Sequence, residues 1–190
     1  MAETSRRTHY SYAEYLALED ESLLRHEYLD GEIYAMSGGT PEHAALISEM
    51  FSILLRHVPR YCRVFTSDLR LRTPTGLTTY PDLTVVCRSI QRAPDDHLAA
   101  INPLLLVEVT SDSTEEYDRG VKLRHYKSFP SAEEILFVSH RERRISVHRK
   151  DGESWTVEEV LSGESLSLHS IDGVIAVDDV YRGLEDTARR

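Results

Sequence analysis

The sequence lacks the marks of several protein classes. No apolar run is long enough to span a bilayer, and even Leu104 to Val107 is cut short by Glu108. The opening stretch, Met1 to Tyr10, is polar and has no apolar segment of a secretory signal. Only two cysteines occur, Cys62 and Cys87, 25 positions apart and without C-x-x-C spacing. That excludes a disulfide scaffold and a cysteine-built zinc site, and the pair reads as reduced, buried thiols of a cytoplasmic protein. There is no internal repeat, no low-complexity tract and no Gly/Ser linker. Glycine-rich phosphate loops, a G-x-S-x-G elbow and an H-E-x-x-H helix are all missing.

What remains is a globular composition. Of 190 residues, 41% are hydrophobic and 28% charged, which suits one domain over 1–190 with polar, flexible tails at 1–10 and 184–190. The 22 basic and 32 acidic side chains give a net charge of −10, which opposes broad adhesion to a phosphate backbone. Two stretches run against that balance. Arg56, Arg60, Arg63, Arg70 and Arg72 share their segment with one acid, Asp68, and Arg141, Arg143, Arg144, Arg149 and Lys150 share theirs with Glu142. They are either solvated faces or two basic edges of a nucleic-acid groove.

Local signals predict the elements. Ser11 and Glu14 form a capping box for a helix to about Glu19. Asp30-Gly31 turns a hairpin within His26 to Met36, and Asp151-Gly152 turns another between Ile145–His148 and Trp155–Val160. Thr40-Pro41 opens a helix with a stripe at Ala44, Ile47, Phe51 and Leu54, which Pro59 ends. Strands are expected over Val64–Arg72, with a bulge near Ser67-Asp68, and over Leu83–Cys87, Leu104–Val109 and Ile135–Val138. Ser89 to Asn102 reads as a polar loop. Ser113 and Glu116 form a second capping box, for a helix ending at Phe129-Pro130. Gly173 to Tyr181 should pack back. This order predicts a mixed sheet with helices on its faces, an α/β or α+β sandwich.

Two acids stand where strands seldom put them. Asp82 follows Pro81 at the mouth of a strand, and Glu108 interrupts the most apolar run. A carboxylate buried in a strand must be paired, protonated or bound to a cation. The two are thus either half of a structural ion pair, with Lys122 or an arginine, or hard oxygen ligands for Mg2+ or Mn2+. Lys122 is either an i,i+4 surface partner of Asp118 or a cation reaching the Glu108 pocket.

The motifs Tyr80-Pro-Asp-Leu-Thr-Val-Val86, Pro103-Leu-Leu-Leu-Val-Glu-Val-Thr-Ser-Asp-Ser-Thr114 and Tyr117-Asp-Arg-Gly-Val-Lys-Leu-Arg-His-Tyr126 together resemble a bacterial restriction-endonuclease-like family. That family was long catalogued as a domain of unknown function and belongs to the PD-(D/E)-x-K nuclease superfamily. His26 to Ser37 and Pro41-Glu-His43 also match, so the resemblance covers roughly Tyr12 to Val138. It implies a restriction-endonuclease-like core, a central mixed sheet of four or five strands with its acids at one edge. It further implies that Asp82 and Glu108 bind the metal, with Glu27 as an additional acid, and that His43 faces the pocket. The superfamily's lysine position holds Thr110 here, and the resemblance moves that role to Lys122 on the next helix. Tyr117, Asp118 and Tyr126 would support the helix. The function so implied is a cytoplasmic, Mg2+-dependent endonuclease hydrolysing DNA by metal-activated water, and the analogy with restriction enzymes suggests a homodimer. Against it stand a catalytically inactive nuclease fold serving as a binding or scaffold module, favoured by the −10 charge and Thr110, and a nuclease subunit that needs a partner for DNA affinity.

Overall fold

The computed structural model describes residues 9–36 and 38–184. Most of the two expected tails, and Ser37, lie outside the described residues. The order is α1 (Tyr12–Glu21), β1 (His26–Leu29), β2 (Glu32–Ala35), α2 (Pro41–His57), β3 (Cys62–Thr66), β4 (Leu71–Arg72), β5 (Thr78–Thr79), β6 (Leu83–Cys87), β7 (Arg92–Ala93), β8 (Asp96–Ala100) and β9 (Leu105–Val109). A composite helix follows: α3 (Glu115–Tyr117), a π-helical turn (Asp118–Lys122) and α4 (Leu123–Tyr126). Then come β10 (Glu134–Val138), β11 (Arg144–Asp151), β12 (Ser154–Leu161), β13 (Ser165–Leu168), β14 (Gly173–Ala176) and α5 (Val177–Val180).

The fold is a mixed α+β arrangement. The central sheet has six strands in the order β12-β11-β10-β9-β6-β3, with β9 and β10 parallel and the other pairs antiparallel. A second six-stranded sheet, β2-β1-β5-β4-β8-β7, and the β13-β14 hairpin complete it. No helix among the described residues is long and apolar enough to cross a membrane.

Alternation along β9 decides where the chemistry goes. Successive side chains of a strand point to opposite faces. Leu105, Val107 and Val109 therefore face one core, where Leu46, Met50, Ile53 and Leu54 of α2 cover them. Leu106 shares the opposite face with Glu108, and there it packs with Leu71, Leu123, Tyr126 and Phe137. A carboxylate on that second face lies beneath the composite helix.

Several local predictions hold. Ser11 and Glu14 make the reciprocal capping box, with α1 running two residues past the expected end. Thr40 caps α2 through His43 N–H, with Pro41 in the first turn. Both Asp-Gly hairpins form, and Asp30 and Gly31 take φ of 49° and 86° as their turn requires.

Others need correction. The buried stripe of α2 is rotated: Leu46, Met50, Ile53 and Leu54 are buried, whereas Ala44 is exposed and Ile47 and Phe51 are half-buried. The α5 turn and β14 also pack on α2, which pulls the helix round. Val64 to Arg72 is not one strand. The chain turns between Thr66 and Leu69, and β4 joins the other sheet. The segment 89–102 is no loop, since β7 and β8 pair within it. Ser113 does not cap the composite helix. Thr114 is its N-cap without a side-chain bond, because the Ser111 and Thr114 hydroxyls bond each other at 2.9 Å. The helix ends at Tyr126, short of Phe129-Pro130.

The cysteines also differ from expectation. The β3–β6 register sets Cys62 directly opposite Cys87, Cα atoms 3.9 Å apart, and the two form a disulfide. Spacing along the chain carries no trace of that register. Cysteine usage therefore gives no sign of a reducing compartment. Purified without reductant and unfolded, the protein should show no titratable thiols. Reduction should lower its unfolding free energy by about 2–4 kcal/mol. Two free thiols under those conditions would contradict the cross-link.

Candidate active site

Three parts of the chain bring acids to one ammonium. Glu27 comes from β1 of the second sheet, Glu108 from β9 of the central sheet, and Asp118 and Lys122 from the first and last positions of the π turn. Lys122 Nζ lies 3.0 Å from Glu27 Oε1, 3.0 Å from Glu108 Oε1 and 3.5 Å from Asp118 Oδ1. All four residues are buried, Lys122 at 5% exposure. A π turn is a local widening of a helix that recurs at functional sites. Here it carries both the acid and the lysine of an i,i+4 pair into the interior.

Hydroxyls hold the acids in place. Tyr126 donates to Glu108 Oε1 at 2.5 Å, and Thr79 donates to Glu27 Oε1 at 2.5 Å. Asp82 lies just ahead of β6, and its Oδ2 accepts from the Val109 N–H at 2.8 Å, one residue beyond Glu108. His43, in the first turn of α2, sets Nε2 3.5 Å from Asp82 Oδ2 and 3.0 Å from the Val109 carbonyl.

The cluster is short of positive charge. Three carboxylates share one lysine, and Asp82 beside them pairs with His43. Burial pushes the Glu108 carboxyl up to about 8, aided by the charges of Asp82 and Asp118 and partly opposed by Lys122. Burial also raises Asp82, against the pull of His43 and the Val109 N–H. Burial alone would lower the Lys122 ammonium, but Glu108, Tyr126, Glu27 and Asp118 hold it well above the ordinary amine range.

These groups lie along a cavity of about 530 Å3. Glu27, His43, Asp82, Glu108 and Lys122, all expected from the sequence, line it together. Asp118 lines it too, although its spacing from Lys122 also fits a surface pair. Tyr126 is not among the lining residues and reaches the site only through its bond to Glu108. Thr110, in the superfamily's lysine position, bonds His140 Nδ1 at 2.9 Å, and His140 Nε2 lies 3.0 Å from Asp112 Oδ1. No sequence signal pointed to His140, which arrives on the turn after β10.

The arginine-rich stretches are absent from the cavity lining. Part of them is paired, Arg70 with Asp96 at 2.9 Å in the interior, Arg149 with Glu134 at 3.1 Å, and Arg141 with Asp112 at 2.6 Å and Arg144 with Glu142 at 3.1 Å nearer the surface, whereas Arg56, Arg60 and Arg63 are exposed.

The donor set fits a divalent ion in part. Among the described residues no group of three or more His, Cys, Asp or Glu side chains is arranged to hold a metal. Magnesium, however, is commonly held by one or two carboxylates plus substrate phosphate and water. Asp82 and Glu108 supply such a pair of hard oxygen donors, in a cluster where carboxylates outnumber the one lysine.

Comparison with known proteins places the chain. The model of the Uma2 family, described as "Putative restriction endonuclease", matches residues 12–177. The chain belongs to the Uma2 family. This Uma2 protein is 36% identical over 174 residues to "Uncharacterized protein slr1290" of Synechocystis sp., covering 90% of each chain. It is 28% identical over 159 residues to "Uncharacterized protein sll1609" of the same organism, covering 82% of this chain and 89% of that one. Its fold matches the crystal structure of "a putative nuclease belonging to DUF820" from Anabaena variabilis with a TM-score of 0.72 at 22% identity, over 89% of this chain and 96% of the other. The Uma2 chain therefore has a nuclease-like fold.

The elevated Glu108 sets a pH dependence. Its carboxyl titrates at its ordinary 4.5 when unfolded and at about 8 when folded. Between those values the folded protein keeps a proton that the unfolded chain has lost, so this residue's contribution to stability falls as pH rises. Urea denaturation without divalent metal should show Glu108→Gln gaining on the wild type from about pH 5 to about pH 8. A constant difference across that window would show an ordinary carboxylate.

Proposed function

We propose that this Uma2 protein is a divalent-metal-dependent endonuclease that hydrolyses DNA phosphodiesters. The observation that carries the reading is Lys122 Nζ, 3.0 Å from both Glu108 and Glu27 at an open cavity that Asp82 and His43 also line. A lysine among acids at the end of a sheet is the donor set that phosphoryl transfer needs, because that chemistry rests on positioning and charge rather than on a protein nucleophile.

Asp82 and Glu108 would hold Mg2+ or Mn2+. When bound, the ion supplies Lewis acidity toward a phosphoryl oxygen and acidifies water. The chain's own residues do the rest. The Val109 N–H and the nearby His43 favour the ionised form of Asp82. The Tyr126 hydroxyl fixes the orientation of Glu108. Lys122, held charged by Glu108, Glu27 and Asp118, offsets charge developing on the phosphate without reorganising. Glu27, tied to Thr79, keeps the ammonium in position.

One observation favours a second reading. Lys122 already pairs with Glu108 and Glu27, so the same cluster can serve as a structural ion pair in an inactive scaffold. DNA cleavage separates the two. The wild type should nick DNA with Mg2+ or Mn2+ and not with EDTA. Asp82→Ala and Glu108→Ala should each lower that rate at least about a hundredfold while still folding, as judged by a cooperative melt. Full activity in either folded variant, or no cleavage by the wild type, would overturn the nuclease reading.

A further inference from the structure

The cavity has a second character beside its acids. Tyr34 of β2 lines it and is 46% exposed, a large aromatic ring left open at the free edge of the second sheet. The hairpin register sets Tyr34 directly opposite Glu27. Opposed residues of a hairpin share a face, with Cβ atoms about 5 Å apart. The ring is thus one strand away from the carboxylate that touches Lys122.

Tyr117 lines the same cavity from the end of α3. Its hydroxyl is buried and makes no hydrogen bond of good geometry, with the Glu27 carboxylate beside it as an acceptor. A buried donor held in a poor hydrogen bond costs free energy, and an incoming acceptor can satisfy it better. Its neighbours in the cavity are Glu27 and Lys122, which places the donor beside the ammonium assigned to phosphate.

The rest of the molecule does not favour a duplex. A duplex is stiff, with a persistence length near 150 base pairs, and is held mainly through a track of basic side chains along its phosphates. Here the acids around Lys122 are only 4–6% exposed, and among the described residues no arginine lines the cavity, so no basic track runs along it. An unpaired strand can bend a single phosphate into a cavity and lay its base on an aromatic ring.

We propose that the cavity takes an unpaired DNA strand, with a base stacked on Tyr34 and a phosphate oxygen accepting from the Tyr117 hydroxyl beside Lys122. The inference rests on the nuclease reading and names its substrate class. Tyr34 and Tyr117 are then substrate-contacting residues, one for the base and one for the phosphate.

The test is binding, read by fluorescence anisotropy with a labelled 12-nucleotide oligothymidylate and with a 12-base-pair duplex, Ca2+ replacing Mg2+. The single strand should bind at least about tenfold more tightly than the duplex. Tyr34→Ala should weaken single-strand binding roughly 5- to 150-fold, the range for loss of one base–aromatic stack. Tyr117→Phe should weaken it several-fold while leaving the melting temperature nearly unchanged, because the hydroxyl it removes makes no well-formed hydrogen bond. A duplex bound as tightly as the single strand, no detectable single-strand binding, or unchanged affinity in Tyr34→Ala would each overturn the proposal. Single-strand binding that depends on both tyrosines, without cleavage in Mg2+, would support this assignment and contradict hydrolysis.

Discussion

The structure turns on one buried ammonium. Lys122 gathers Glu27 from one sheet, Glu108 from the other and Asp118 from its own π turn within 3.5 Å. None of these charges is tolerable alone in the interior. Breaking such a buried pair typically costs about 3–5 kcal/mol, a large share of the roughly 5–15 kcal/mol that holds a domain together. The cluster therefore ties the two sheets to the composite helix at a single point. It still leaves negative charge unmatched, since one lysine faces several carboxylates.

That arrangement divides the molecule between two faces of β9. One face is dry: Leu105, Val107 and Val109 pack under α2 in the larger core. The other begins dry at Leu106 and becomes polar at Glu108, where the cavity opens. A rigid apolar side thus supports a charged side that costs stability, as functional sites commonly do. Tyr126 spans the division, with its ring in the smaller core and its hydroxyl on Glu108.

What could be read from the residues alone follows from the range of each interaction. Caps and two-residue turns are local, so Ser11, Thr40, Asp30-Gly31 and Asp151-Gly152 showed themselves. Glu108 stood out because a carboxylate in an apolar run demands an explanation. The misses concern partners distant in the chain. Cys62 and Cys87 meet only through the β3–β6 register. The stripe of α2 is set by β14 and α5 more than a hundred residues later. Two-residue strands such as β4, β5 and β7 are too short to show alternation. The arginine runs looked basic because the acids that neutralise several of them, Asp96, Asp112 and Glu134, lie elsewhere in the sequence. Asp118 could be placed beside Lys122 by spacing, but its burial came only with the π turn.

The proposed function requires this charge-deficient cluster to take up a divalent cation through Asp82 and Glu108. Calorimetric titration of Mg2+ into the wild type and into Asp82→Ala, each with and without a short DNA strand, tests it most directly. Uptake by the wild type should be saturable, strengthened by the strand and lost in Asp82→Ala. Equal uptake by the two proteins, or none by the wild type even with the strand present, would contradict it.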